Sequence, residues 1–333
     1  MAYYERGRTD KRDWRAQNTA LVSFLPAILN MMWVEKEKGA LEEMNRGKRG
    51  RPFLYSDVMV EWAMTAKAAM KLQYRQVSGL IRFLLSISGK DPIKRSQLCE
   101  RGNRLAELRT DTHMPVTGTL ASGVVCGNIR RALIVAIDAS GLRLSAAGRW
   151  RMKRHNNKDV SGWVKIHVAV DTATNEMLAF VITTEAVGDN TCFMMLVDLL
   201  EDGGFDVKKI LADAAYNDKD NWNAMKERKI EFIANLKKNT SGKFRGCSVR
   251  GLQALRRIEI GERAWKVEVG YGIRWKVECT FSDFKRLFGD MVTARKPKWM
   301  AFELLWRFRA HNTYKGLLAA LESGSEIGFI AED

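Results

Sequence analysis

The sequence has little cysteine and histidine, and neither residue type is spaced as a metal site requires. Its five cysteines stand at Cys99, Cys126, Cys192, Cys247 and Cys279, an odd number without a C-x-x-C pair. The four histidines show no H-x-x-x-H spacing either. These absences exclude a disulfide framework or a structural zinc site as the basis of the fold, and favour reduced thiols. Any bound metal ion would therefore be held by oxygen ligands.

A long hydrophobic run is also missing. The longest nearly apolar stretch, residues 21–34, is too short to cross a bilayer and contains Pro26 and Asn30. Charged residues fill the start of the chain, where a signal peptide has its apolar segment. We therefore expect a soluble, cytoplasmic protein without a membrane partner.

Acidic residues are too few to balance the basic ones. The 333-residue chain has 55 Lys and Arg against 39 Asp and Glu, which gives a net charge of +16. Such an excess predicts attraction to a polyanion, and with the membrane disfavoured that polyanion is nucleic acid. The length and a hydrophobic content of 46% predict a folded protein with about two domains.

The N-terminal part of the chain has a helical and basic pattern. We predict a basic arm and helix over residues 1–54, followed by a helical DNA-binding region over residues 55–125. Three short helices with a basic last one fit a helix-turn-helix reader, but also a plain bundle with a solvated basic face. Arg49 and Arg51, in the run Arg-Gly-Arg-Pro, match either a minor-groove-binding AT-hook or a basic linker.

Strand patterns dominate from residue 126 onward. Apolar runs predict five strands, at residues 131–144, 163–171, 176–185, 208–216 and 231–238. With helices after the third, fourth and fifth strands, the order is β-β-β-α-β-α-β-α. This is the order of a mixed α/β, ribonuclease H-like fold, in which the fourth strand lies parallel beside the first. We assign this domain to residues 126–322 and a tail to residues 323–333.

Two aspartates interrupt apolar strands of the predicted sheet. Asp138 lies on the first strand and Asp213 at the end of the fourth, so the fold would place them side by side, where an unpaired carboxylate is costly. Glu278, on a later helix, is free to complete the cluster. Three carboxylates repel one another unless cations stabilise them, which predicts two ions of Mg²⁺ or Mn²⁺. Three further aspartates are expected to lie outside this cluster, in turn, cap or surface positions: Asp171, Asp189 and Asp198.

The stretch from residue 271 to residue 288 predicts one amphipathic helix. At 100° per residue, Tyr271, Arg274, Glu278 and Lys285 share one stripe. A neighbouring apolar arc contains Ile273, Val277, Phe281, Phe284 and Phe288. The polar stripe is either a salt-bridged, half-solvated helix face or a surface that handles anions.

The spacing Tyr271-x2-Arg274-x3-Glu278-x6-Lys285 resembles the Y-R-E-K signature of DDE transposases of the insertion-sequence-four and insertion-sequence-five superfamily. Further blocks resemble, in the same order, the N-terminal, first-aspartate and second-aspartate blocks of the insertion-sequence-five branch: residues 50–85, 136–155 and 211–216. The second-aspartate block has Ala214 where relatives often have glycine.

The resemblance implies a transposase that binds the terminal inverted repeats of an insertion sequence, cleaves DNA and joins the 3′ hydroxyl ends to target DNA. It implies that Asp138, Asp213 and Glu278 are catalytic metal ligands, that Arg274 and Lys285 hold phosphates, and that Tyr271 contacts the terminal nucleotides. It also implies a homodimer on double-stranded DNA and a nucleoid-associated location. Two alternatives stay open, a nuclease of the same fold and a domesticated DNA-binding protein without transposition.

A basic loop after the first predicted strand adds to the expected DNA surface. Its position beside Asp138 suits it to grip DNA next to the metal ligands. The loop residues are Arg149, Arg151, Lys153, Arg154, His155 and Lys158.

Overall fold

The structure is a computed structural model that describes residues 18–22, 35–86, 93–105, 116–120, 131–146, 148–150, 162–237, 240, 242–244 and 246–322. Within these residues, no helix combines the length and the apolar character that crossing a membrane requires. The helices of this part of the chain are α1 (Glu35–Asn45), α2 (Asp57–Ala69), α3 (Tyr74–Ser86), α4 (Arg95–Leu105), α5 (Phe193–Asp202), α6 (Lys219–Glu227), α7 (Ser248–Ile260), α8 (Glu262–Glu268), α9 (Trp275–Phe288) and α10 (Pro297–Glu322). Three short 3₁₀ turns accompany them, at Asp189–Cys192, Ala214–Tyr216 and Tyr271–Arg274.

A single mixed sheet forms the centre of the described fold. Its strands are β1 (Val116–Thr119), β2 (Leu133–Leu144), β3 (Trp163–Asp171), β4 (Met177–Thr184), β5 (Val207–Ala212), β6 (Glu231–Ala234) and β7 (Met291–Val292). They are arranged in the order β1-β4-β3-β2-β5-β6, and β7 pairs with the end of β2. The pairs β2–β3 and β3–β4 are antiparallel, whereas β5 runs parallel to β2. The predicted mixed α/β fold, with the fourth predicted strand beside the first, is confirmed.

Two short strands of the sheet were not predicted. Strand β1 pairs with the outer edge of β4, and β7 adds two residues beside Arg143 and Leu144 of β2. Runs of four and two residues are too short for a period-two pattern to stand out from the sequence. The predicted fourth strand is also shorter than expected, because it ends at Ala212.

Strand β2 alternates between two hydrophobic cores. Ala136 and Leu142 pack in one core, whereas Val135 and Ile137 pack in the other. Successive side chains of a strand point to opposite faces of the sheet, so a strand buried on both faces is apolar throughout. Asp138 therefore lies on the face that it shares with Ala136, and helix α9 packs on this face.

Helices α2 to α4 share their core with the rest of the described fold. Their buried residues Trp62, Val77 and Leu98 belong to the same hydrophobic cluster as Phe302 and Phe308 of α10 and one face of the sheet. The domain boundary predicted between residues 125 and 126 lies outside the described residues and stays a prediction.

Polar contacts fix the N-terminal helices to each other. Ser56 caps α2, since its side chain accepts a hydrogen bond from the Met59 backbone N–H at 3.2 Å. Arg101 of α4 is ion-paired with Asp57 and donates to the Tyr55 carbonyl at 2.8 Å. This arginine of the basic helix thus serves the packing of α4 on α2 and does not extend into solvent.

Candidate active site

The parallel pairing of β2 and β5 brings two aspartates together. Ile137 lies opposite Ala212 in the register of these strands. The next residue is Asp138 on one strand and Asp213 on the other. Asp213 Oδ1 accepts a hydrogen bond from the Ala215 backbone N–H at 2.7 Å and so caps a 3₁₀ turn. This cap ends strand β5 at the point where the two carboxylates meet.

A 3₁₀ turn, and not the predicted single helix, carries the first half of the polar stripe. Gly270 has a φ of 62°, in the left-handed region, and Tyr271–Arg274 follows as a 3₁₀ turn before α9 begins. Such a turn places residues i and i+3 above one another. The Arg274 guanidinium carbon is accordingly 5.7 Å from the centroid of the Tyr271 ring. Ile273, predicted in the apolar arc, is instead 41% exposed.

Tyr271 connects this turn to the strand that carries Asp213. Its hydroxyl donates a hydrogen bond to the Ala212 carbonyl at 3.2 Å. Burial raises the pKa of Tyr271 to about 12, so the phenol keeps its proton and remains a donor at neutral pH.

Arg274 lies between two of the three predicted carboxylates. Its Nη1 donates to Asp138 Oδ2 at 3.2 Å, and its Nη2 is ion-paired with Glu278 Oε1. The arginine side chain is 16% exposed, whereas that of Glu278 is 57% exposed. One guanidinium therefore holds a half-buried and an exposed carboxylate at the same time, through the planar fork that suits arginine to such pairs.

Electrostatic effects link all three carboxylates. Burial raises the pKa of Asp138 to about 6, and the charges of Asp213 and Glu278 also raise it. The backbone hydrogen bond from Ala139 and the positive charge of Arg274 act in the opposite direction. Asp138 is thus a carboxylate whose charged form is destabilised by burial and like charges, and whose ionisation a further cation would favour.

Lys285 lies farther along the same face of the sheet. Its Nζ donates to Ser140 Oγ at 2.8 Å. Ser140 is the residue that sequence reasoning missed, although it stands two positions after Asp138 and the period of a strand puts such residues on one face. The pair places a half-buried ammonium group beside the carboxylates.

The other residues predicted to bind DNA make no described contact with these carboxylates in the part of the chain that the structure covers. Arg149 is exposed, just beyond the end of β2. Arg49 and Arg51 are exposed before α2, and within the described residues no hydrogen bond or ion pair connects them to the site. Arg151, Lys153 and Arg154, with His155 and Lys158, lie outside the described residues.

The three aspartates expected outside the cluster have partners of their own. Asp171, at the end of β3, is ion-paired with Arg131. Asp198 pairs with Arg228 at 2.8 Å on the surface. Asp189 is more buried than its predicted cap or surface position suggests, because Lys165 Nζ approaches its Oδ1 to 2.5 Å.

The site contains carboxylate oxygens of the kind that bind hard cations, but these oxygens are not gathered around one point. Among the described residues, no group of three or more His, Cys, Asp and Glu side chains is arranged to hold a metal ion. Arg274 instead occupies the space between Asp138 and Glu278. The chemistry of the donors fits Mg²⁺ or Mn²⁺, which prefer carboxylate oxygens.

Comparison with known proteins identifies the family of the chain. A family model described as "Transposase DDE domain" matches residues 130–313, more than half of the chain, and a second with the same description matches residues 29–115. Among solved structures, the Drosophila P element transposase strand transfer complex is 11% identical, with a TM-score of 0.31. That match covers 92% of this chain and 88% of the other. By the match over residues 130–313, the chain belongs to the transposase DDE domain family.

Proposed function

We propose that this protein is a transposase of the insertion-sequence-five branch that cuts DNA at the terminal inverted repeats of its element and joins the freed 3′ hydroxyl to target DNA. The observation that carries the proposal is the meeting of Asp138 and Glu278 on one guanidinium, with Asp213 beside them at the end of β5. The family match and the Y-R-E-K spacing support the same assignment.

Asp138, Asp213 and Glu278 would hold two ions of Mg²⁺ or Mn²⁺. When bound, such a pair supplies an activated nucleophile and stabilises the leaving oxygen of a phosphodiester. Arg274 keeps Asp138 and Glu278 near each other and carries a second face of donors that suits a phosphate. Lys285, fixed by Ser140, adds a point charge beside the same strand.

The proposed reaction has two displacements at phosphorus. First, the oxygen of a water molecule forms a bond to phosphorus at the element end, while the bond to the 3′ oxygen breaks and that oxygen gains a proton. Then the freed 3′ hydroxyl loses its proton and attacks a target phosphodiester, which releases a second 3′ oxygen. Tyr271, whose hydroxyl donates to the Ala212 carbonyl and whose ring lies against Arg274, would contact the terminal nucleotides.

DNA is the partner in this proposal, and two element ends require two copies of the chain. The net charge of +16 favours association with double-stranded DNA and a location at the nucleoid. Light scattering on the protein mixed with end DNA measures the number of subunits, and a homodimer is the expected result.

Carboxylate variants test the proposal in a plasmid assay with the element ends and Mg²⁺. Asp138→Asn, Asp213→Asn and Glu278→Gln should each abolish cleavage while DNA binding survives. Asp198→Asn, which changes a surface carboxylate paired with Arg228, is the matched control and should cut normally. Normal cleavage by any one of the three site variants would remove that residue from the metal-ligand set.

Products of the wild-type protein separate the alternatives. Joined plasmids are expected, with short inverted repeats flanked by duplicated target sequence. Cut but unjoined DNA would identify a nuclease. Binding without cutting would identify a domesticated DNA-binding protein.

A further inference from the structure

A large cavity lies between the N-terminal helices and the C-terminal helix, away from the three carboxylates. It has a volume of about 1080 Å³ and is lined by residues of α2, α3, α4 and α10 and by the segment around β7. Pockets for drug-sized ligands span ~300–1,000 Å³, so this one has room for nucleotides. One turn of B-DNA is ~34 Å long, and its major groove alone is ~12 Å wide and ~8.5 Å deep, so a duplex turn far exceeds this volume and can only pass over the mouth.

The charge of the cavity is strongly positive. Eight basic and two acidic side chains line it, and the acidic ones, Asp290 and Glu303, are paired with Arg143 and Arg307. Six cationic side chains have no ion pair or hydrogen bond within the part of the chain that the structure describes: Lys67, Lys71, Arg75, Arg95, Arg295 and Lys296. Such a set of uncompensated charges is what a series of phosphates neutralises.

Aromatic side chains provide flat surfaces in the same cavity. Trp299, from the first turn of α10, and Tyr74, at the start of α3, are both partly buried lining residues. Lys67 Nζ lies 4.8 Å from the centroid of the Tyr74 ring. Cations beside aromatic faces are the combination that binds single-stranded nucleic acid, with bases on the rings and phosphates on the charges.

The cavity also lies along the strand that carries Asp138. Arg143 lines the cavity and stands five residues after Asp138 on β2, so a rise of ~3.4 Å per residue separates the two backbone positions by ~17 Å. Because five is an odd number of residues, the two side chains leave opposite faces of the strand, and a DNA strand that reaches both passes around the end of β2. Lys285, bonded to Ser140, marks a point between the two. At ~3.4 Å per stacked nucleotide, the separation corresponds to about five nucleotides.

We propose that this cavity binds an unpaired stretch of the DNA substrate, about five nucleotides from the phosphate that reacts at the carboxylates. The position along the substrate rests on the proposed function. The preference for a single strand rests on the cavity alone and is measured without cleavage.

Binding of fluorescein-labelled dT12 to the full-length protein, followed by fluorescence anisotropy, tests this assignment against a 12-base-pair hairpin duplex. Trp299→Ala should weaken dT12 binding by about 5- to 150-fold through the loss of one stacking surface. The combined change of Lys71, Arg75 and Arg295 to alanine should lower the salt slope for dT12 by about 2, at ~0.7 per lost contact. Lys208→Ala, which removes an exposed cation from the start of β5, is the control and should change neither value.

The combined variant changes three exposed cations, which should leave the fold intact. It therefore still tests the cavity if a thermal melt shows that Trp299→Ala is unstable. Photo-crosslinking of dT12 with one 5-iododeoxyuridine should attach the oligonucleotide to Trp299 or Tyr74. Unchanged dT12 affinity and slope in the combined variant would overturn the proposal, as would equal losses for the duplex. Cleavage of plasmid DNA by the wild-type protein is measured separately. If the wild-type protein cuts, a negative binding result rules out the cavity proposal alone; if it does not cut, the transposase function fails as well.

Discussion

Loss of the Lys285 ammonium group should change the salt dependence of DNA binding in a predictable way. We choose Lys285→Met because the side chain is half-buried and methionine keeps its apolar volume. A phosphate contact contributes ~0.9 to the slope of log affinity against log salt on duplex DNA, so the slope should become shallower by about 0.9. Between 50 and 200 mM salt, the affinity deficit of the variant should therefore shrink by about 3.5-fold.

The Ser140 hydroxyl offers a matched control for this prediction. Ser140→Ala removes the hydrogen bond to Lys285 Nζ but keeps the charge, so the salt slope should stay at the wild-type value. Because the lysine is then no longer held beside Asp138, cleavage should slow. Anisotropy titrations of end-sequence duplex at four salt concentrations measure the slope. Equal slopes for wild type and Lys285→Met would refute a phosphate contact at this residue.

Two other perturbations test the fold that supports the site. Burial, reinforced by the charge of Lys315, lowers the pKa of His311 to about 3. Between its ordinary pKa and this value, the unfolded chain binds a proton at His311 that the folded protein does not, so acid favours unfolding. Acidification from pH 7 to pH 5 should therefore lower the free energy of unfolding by about 2 kcal/mol through His311. The His311→Leu variant should lack this contribution, and urea titrations of both proteins at both pH values measure the difference. Gly270→Ala should lower the free energy of unfolding by about 1 kcal/mol, because the φ of 62° at this position is left-handed. No steric clash adds to this loss, since no atom lies within 4 Å of an added Cβ. Gly270→Asn should lose less in a thermal melt, and equal stability of all three proteins would contradict that backbone assignment.

The central strands could be predicted because their physical cause is local. Buried β2, β3 and β4 are apolar through most of their length, and such runs stand out in the sequence. The parallel pairing of β5 with β2 followed from the order of elements. Strands β1 and β7 could not be found in the same way, since they form by pairing with edges that only the folded sheet provides.

The residues of the candidate site were proposed from their types and spacings, which do not determine their contacts. A helical wheel places Tyr271 and Arg274 on one stripe, yet the left-handed Gly270 and the 3₁₀ turn decide that the ring lies against the guanidinium. Nothing in the spacing shows that Arg274 reaches Asp138, because the two residues are 136 positions apart in the chain. Tertiary contacts of this kind depend on the packing of α9 against β2.

The contacts of Arg274 bear on the order in which the site can assemble. Arg274 is the cation that contacts these carboxylates, while Lys285 is bonded to Ser140 farther along β2. When all three carboxylates are ionised, about two of their three negative charges therefore have no direct ion pair. A phosphate brought to this cluster would be repelled, although the net charge of +16 favours association of the whole chain with a polyanion. The two divalent cations of the proposed function would reverse this local sign, since they would bring four positive charges to the three carboxylates. The carboxylates would then no longer need Arg274 to offset their charge, which frees its guanidinium for the phosphate. In the proposed reaction, the basic surfaces would therefore hold DNA first, and Asp138, Asp213 and Glu278 would accept the reacting phosphate only once they hold divalent cations.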